Sequence, residues 1–254
     1  MGRFASTVAH YERARQPYGP AFFDAVAGRL AFNRGHRLLD LGTGPGLLAL
    51  GFAPHVGAAW GLDPEPAMLA AARRNAAAAG VDLRLLAGRA EDLPADVGAF
   101  DVVTVGRALH WMEPAGTRAA LERAVAPAGV VLVASASTAA DGRNAWLPAY
   151  EAVRQRWAGR VERAAFGERA AYFSGTRFRS EGEIRVDTVR RVPVATLVER
   201  ILSMSSTSPD AVGDGVALLR GAAERALAPF AAGGHVVETV VARAEVFRSA
   251  PVRR

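Results

Sequence analysis

The 254-residue sequence has no cysteine. Disulfides, thiolate metal sites and a cysteine nucleophile are therefore excluded. Lysine is missing too, so all 31 basic residues are arginine. A G-x-x-x-x-G-K-[ST] phosphate loop, which needs its lysine, is excluded with it. No stretch approaches the roughly 18 uninterrupted apolar residues of a membrane-spanning helix. Residues 1–18 carry His10, Glu12, Arg13 and Arg15 and lack the apolar centre of a secretion signal. The expectation is a cytoplasmic protein without a membrane partner. The remaining histidines, His36, His55, His110 and His235, are scattered and suggest no metal cluster.

What is present is a globular composition: 50% hydrophobic and 22% charged residues, enough for a real core. The formal net charge of +6 raises the possibility of a nucleic-acid surface. Such a surface needs basic residues clustered and interleaved with aromatics. Here the arginines are spread along the chain and alternate with acids, as at Glu162-Arg163 and Glu168-Arg169. The basicity therefore reads as compositional bias, and no nucleic-acid partner is expected.

Residues 4–16 look helical, and a second helix is expected over 20–32, with Pro20 at its start where a missing N–H costs little. Five short apolar strands follow, at 37–41, 58–63, 82–87, 100–105 and 129–134. Helical patterns separate them at 47–55, 64–79 and 114–126. This repeating order predicts a parallel sheet wound on both faces. The strands lack polar alternation, as strands buried on both sides do. The run at 100–105 is apolar apart from Asp101 and Thr104. After residue 135 the rhythm changes. A long helix is expected over 141–161, a mixed segment over 163–182, a sixth strand over 184–192, helices over 194–204 and 211–230, and a last strand over 235–247. The prediction is one α/β domain over 1–254: a Rossmann-like, doubly wound, mostly parallel sheet. It would carry a helical cap (1–34), a ligand-binding core (35–135), a helical insertion (136–183) and closing strands and helices (184–254).

The most specific motif is Asp40-Leu41-Gly42-Thr43-Gly44-Pro45-Gly46, a strand turning tightly into a helix. Glycine serves there where φ is positive or where a ligand meets the backbone. The dinucleotide pattern G-x-G-x-x-G fails, because its third glycine place holds Leu47. A carboxylate two residues before the first glycine suits a ligand bearing an ammonium group and opposes phosphates.

This motif resembles motif I of the class I S-adenosylmethionine (SAM) dependent methyltransferases. Gly61-Leu62-Asp63 is similar to that family's acidic second-strand end. Gly88-Arg89-Ala90-Glu91-Asp92-Leu93-Pro94 is similar to the loop after its third strand. Phe100-Asp101-Val102-Val103 with Ala108-Leu109-His110-Trp111 resembles its fourth strand and following turn, and Tyr11, Arg15, Pro17 and Tyr18 resemble a cap segment. The resemblance covers about the first 135 residues. It implies a seven-stranded sheet whose last strand is antiparallel, with SAM as cofactor and S-adenosylhomocysteine as product. It also implies roles. Gly42, Gly44 and Gly46 would run along the methionine part, Asp40 would hold the ammonium group, and Asp63 would accept both ribose hydroxyls. Ala90 and Glu91 would meet the adenine, Gly106 would offer its carbonyl, and Tyr18 would close the pocket. Asp63 before Pro64 equally fits a helix cap, and Glu91 a solvated loop acid.

Transfer from SAM needs an acceptor placed in line with the sulfur, and a base where that acceptor is a hydroxyl or protonated amine. His110 is the candidate base, with a structural histidine bonded to backbone as the alternative. Trp111, Tyr11, Trp146 and Tyr150 are the candidate acceptor contacts, although aromatics at helical spacing also fit a core. The expected function is methyl transfer to a small-molecule acceptor in secondary metabolism, with an oxygen acceptor favoured, by a monomer or homodimer. A SAM-binding enzyme of the same fold catalysing cyclisation or isomerisation, and a non-catalytic binding protein, are the alternatives.

Overall fold

The computed structural model describes residues 16, 18–158, 172–204 and 206–250. The first expected helix, with Tyr11 and Arg15, lies outside the described residues except for Gln16. The first described helix is α1 (Pro20–Arg29), with proline at its N-terminus and Phe22, Phe23 and Val26 buried. The core then alternates. In chain order it is β1 (Arg37–Leu41), α2 (Leu47–Phe52), β2 (Ala58–Asp63), α3 (Pro66–Ala79), β3 (Leu83–Ala87), β4 (Phe100–Gly106), α4 (Pro114–Ala124) and β5 (Val125–Thr138). Beyond it come α5 (Leu147–Trp157), β6 (Phe178–Pro193), α6 (Val194–Leu202), the one-turn α7 (Pro209–Val212), α8 (Val216–Leu227) and β7 (His235–Ser249).

The seven strands form one sheet in the order β3-β2-β1-β4-β5-β7-β6. Strands β1 to β5 are parallel, and β7 runs antiparallel to both of its neighbours. The expected doubly wound sheet with an antiparallel last strand is what the chain adopts. Successive residues of a strand point to opposite faces. Leu38 accordingly packs with Phe22, Phe52, Val102 and Leu132 on one side, and Leu39 with Val103, Leu121, Val131 and Phe247 on the other. That double burial explains the apolar strand sequences.

From β1 the chain winds outward through β2 to β3, then returns to start β4 on the other side of β1. The switch leaves a crevice at the carboxyl ends of β1 and β4, the position at which open α/β sheets bind ligands.

Several elements differ from expectation. Helix α5 begins at Leu147, not near 141. Gly142 there has a left-handed backbone, and the Asn144 side chain clips the turn to the Ala139 and Thr239 carbonyls at 2.8 and 3.0 Å. The sixth strand begins at Phe178 because it pairs with β7 along nearly its whole length, as far as Phe178 opposite Ser249. As the outer edge it alternates Arg185 and Asp187 with Ile184 and Val186, and its exposed charges blunt strand-to-strand association.

Candidate ligand site at the carboxyl ends of β1 and β4

Five of the nine expected cofactor residues meet in one crevice. Tyr18, Asp40, Gly42, Gly44 and Gly106 line it, together with Thr43, Pro45, Leu47, Leu48 and Arg107. The crevice measures about 290 Å³ counted to its open mouth. A larger hollow of about 780 Å³ lies at the opposite end of the sheet, against the starts of β2 and β3. The smaller one is the candidate site, because the glycine loop, a buried acid and the topological switch converge there.

Pairing register places the first acid. Asp40 of β1 stands opposite Thr104 of β4, and the Thr104 hydroxyl donates to Asp40 Oδ1 at 2.7 Å. Both residues are buried. Burial pushes the Asp40 carboxyl up from 3.8 to about 6; hydrogen bonds to its charged form, that of Thr104 foremost, oppose the rise. A buried carboxylate held near neutrality suits a cationic ligand group that would replace its lost hydration.

The second acid fixes the loop. Asp63, at the end of β2, accepts from Gly44 N–H at 2.8 Å on Oδ2 and from Glu65 N–H at 2.9 Å on Oδ1. Thr43 N–H donates to the Leu62 carbonyl at 3.0 Å beside it. Asp63 is thus both a turn acceptor and a loop anchor, and its pKa is raised chiefly by burial. Each carboxylate oxygen keeps a further lone pair for a ligand hydroxyl.

The loop glycines differ in what they do. Gly42 has φ +66, and a Cβ there would stand 2.6 Å from the Ala108 Cβ. It is required by close packing. Gly44 has φ +56, and a Cβ there would meet nothing within 4 Å. It faces open space in the crevice, so a side chain at Gly44 would occupy ligand volume. Gly46 enters α2 with φ +90. Gly106 is set by packing, since a Cβ would lie 2.6 Å from Leu48 Cδ1.

Ala90 and Glu91 form a short turn after β3 outside the crevice lining. Glu91 is paired with Arg89, whose Nε donates to it at 2.7 Å. His110 and Trp111 form an exposed turn after β4, their rings 4.8 Å apart, with Trp111 58% exposed. Trp146 and Tyr150 are not brought to the crevice. Both are 2% exposed and belong to a third apolar cluster with Val192, Leu197, Ile201 and Val236. The indole N–H donates to the Val237 carbonyl at 2.8 Å, and the phenol to that of Leu197 at 2.9 Å. Their helical spacing signals core here, because their polar atoms are already satisfied by backbone.

Sequence reasoning passed over Thr104 as a site residue, although a lone hydroxyl in an apolar strand was its signal. It also missed Arg107 and the cluster around Glu238. Glu238 is fully buried on β7 and pairs with the buried Arg200 of α6 at 2.6 Å and with Arg190 of β6 at 2.7 Å. Burial would push its carboxyl up, but the Arg200 contacts outweigh that and hold it low. The Thr138 hydroxyl donates to Glu238 at 2.7 Å and accepts from the Gln16 amide at 2.9 Å. Gln16 is thereby tied to the end of β5 and, through Thr138, to Glu238 of β7.

This strand order, with a glycine loop after β1 and an acid closing β2, is that of a Rossmann-like methyltransferase fold and supports a class I SAM-dependent methyltransferase domain in this chain. Residues 38–129 match the model of the methyltransferase domain. An uncharacterized methyltransferase of Mycobacterium tuberculosis is 35% identical over 126 residues, 50% of this chain and 49% of the relative. The demethylmenaquinone methyltransferase of Thermus thermophilus is 40% identical over 100 residues, 38% of this chain and 46% of its own. The chain spans about half the length of these curated relatives. In fold it is similar to a putative type II methyltransferase from Anaeromyxobacter dehalogenans, with a TM-score of 0.65 at 19% identity over 93% of this chain and 99% of that one. The family implies a SAM-type cofactor. No helix among the described residues is long and apolar enough to cross a membrane.

The buried Asp40 gives the site a pH dependence. Its pKa near 6 lies above its ordinary 3.8, so burial makes the carboxylate less favourable than in an ordinary aspartate, and it protonates as pH falls through about 6. A bound ammonium group favours that carboxylate and lowers its pKa. Binding of an ammonium-bearing ligand such as SAM against Asp40 is therefore expected to release a proton near pH 6, with affinity falling up to about tenfold for each pH unit below it. Calorimetry at pH 5, 6 and 8, in buffers of different ionisation heat, measures both. A pH-independent affinity would remove Asp40 from the contact.

Proposed function

We propose that this protein transfers a methyl group from SAM to a small-molecule acceptor, favouring oxygen. The observation that carries the reading is the pair of buried carboxylates, Asp40 and Asp63, flanking the open face at Gly44. Such a site repels phosphates. It fits a ligand that presents an ammonium group to one acid and neutral hydroxyls to the other.

SAM supplies a methyl carbon on a sulfonium sulfur, already activated for displacement. In this reading Asp40, with the Gly106 carbonyl, holds the ammonium group, and Asp63 takes the ribose hydroxyls. The Ala90 backbone and Glu91 meet the adenine once Glu91 exchanges its Arg89 partner, and Tyr18 closes over the amino-acid end. His110 takes the proton of an acceptor hydroxyl, and the exposed Trp111 presents an apolar face to that acceptor. One relative is named for a small acceptor, demethylmenaquinone, which supports this class of substrate.

The test is binding followed by turnover. SAM, but neither ATP nor NAD, should bind in calorimetry, and the product should gain one methylene unit in mass. SAM binding with an unchanged product mass would replace transfer by cyclisation or isomerisation. His110→Ala should lower turnover about 10²-fold, the low end for a general base, because His110 is exposed and water can substitute. SAM affinity should be unchanged, and a near-normal rate would assign His110 to structure.

A further inference from the structure

We propose that Arg107 is the anchor for the carboxylate of the cofactor's amino-acid end, a role resting on the reading of this crevice as a SAM site. Arg107 follows β4 directly and lines the crevice with Asp40 and Gly44. Its backbone is left-handed, φ +57, a conformation that non-glycine residues rarely adopt. Its N–H is bonded to the Ala134 carbonyl at 3.2 Å. The guanidinium lies 5.1 Å from the Tyr18 ring centroid. Nη2 reaches the Gln16 carbonyl at 3.4 Å, a long contact. Nη1 is buried and has no hydrogen-bond partner among the described residues.

A buried cationic donor left unbonded is unfavourable unless a ligand completes it. The ligand that does so must carry an anion on the same side of the crevice as a group suited to Asp40. An α-amino acid end does both: its ammonium faces Asp40 and its carboxylate faces Arg107. Gly44, Pro45 and Leu47 add neutral lining to the same crevice. A guanidinium also matches a carboxylate with two parallel donors, which fixes orientation as well as charge.

The experiment compares SAM with decarboxylated SAM, which keeps the sulfonium, ribose and ammonium group and lacks only the carboxylate. Arg107→Gly removes the guanidinium while allowing the left-handed backbone, and Arg107→Lys keeps the charge. Affinities come from calorimetry, with folding checked by thermal melting. The wild type should prefer SAM by about 10- to 100-fold. Arg107→Gly should lose that preference by weakening SAM alone, with decarboxylated SAM bound as before. Arg107→Lys should recover part of it. An unchanged preference in Arg107→Gly would overturn the assignment, as would an equal loss for both ligands. A wild type that binds neither ligand would overturn the SAM reading itself, and this proposal with it.

Discussion

Asp63→Ala is expected to weaken SAM binding by about 10² to 10⁴. Hydrogen bonds from neutral donors to a charged acceptor are worth about 1.5–3 kcal/mol each, and two ribose hydroxyls converge on this carboxylate in the proposed site. The structure adds a second consequence. Asp63 already accepts from Gly44 and Glu65, so its removal also orphans two backbone donors and loosens the loop. A fall in affinity alone would therefore not separate ribose recognition from loop support. S-adenosylhomocysteine and its 2′-deoxy analogue do separate them. The wild type should discriminate between the two, and Asp63→Ala should not. Discrimination that survives the substitution would leave Asp63 as a loop anchor only.

Glu238→Gln should destabilise the fold by about 3–5 kcal/mol, the range for breaking a buried ion pair from one side. Arg200 is 2% exposed, and Glu238 meets it with both oxygens, at 2.6 and 3.2 Å. Without the carboxylate's charge, the interior Arg200 guanidinium loses the counter-charge that Glu238 supplies. Thermal melting should show the loss. The double variant Glu238→Leu with Arg200→Leu should recover much of it, since an apolar pair of similar volume removes both desolvated charges. Near-identical melting of Glu238→Gln and the wild type would mean that the pair contributes little. The sign with pH follows from the lowered carboxyl pKa. The stabilisation is present above the ordinary glutamate pKa and is lost as pH falls through the folded value.

Much of the site was legible because its parts are close in sequence. Asp40 to Gly46 is one turn, and the acid at its head with three glycines behind it dictates a backbone that bends sharply beside a carboxylate. Asp63 before a proline-started helix was legible in the same local way. The aromatic residues of the insertion were not. Trp146 and Tyr150 have the spacing of a pocket wall and equally of a core, and only the Val237 and Leu197 carbonyls that receive their polar atoms distinguish the two. Thr104, Arg107 and Glu238 lay beyond local pattern, since their partners Asp40, Tyr18 and Arg200 are distant in the chain.

The sequence by itself determined the alternation of strands and helices, the doubly wound sheet and the carboxylate-headed glycine turn. Apolar periodicity and glycine act over a few residues, and their consequences need no distant partner. Strand register and packing decided the rest. They set Thr104 against Asp40, turned Arg107 over the crevice beside Tyr18, and enclosed Glu238 between two arginines. Hydrogen bonds and buried charges depend on positions fixed to within an ångström, and only the assembled sheet fixes those.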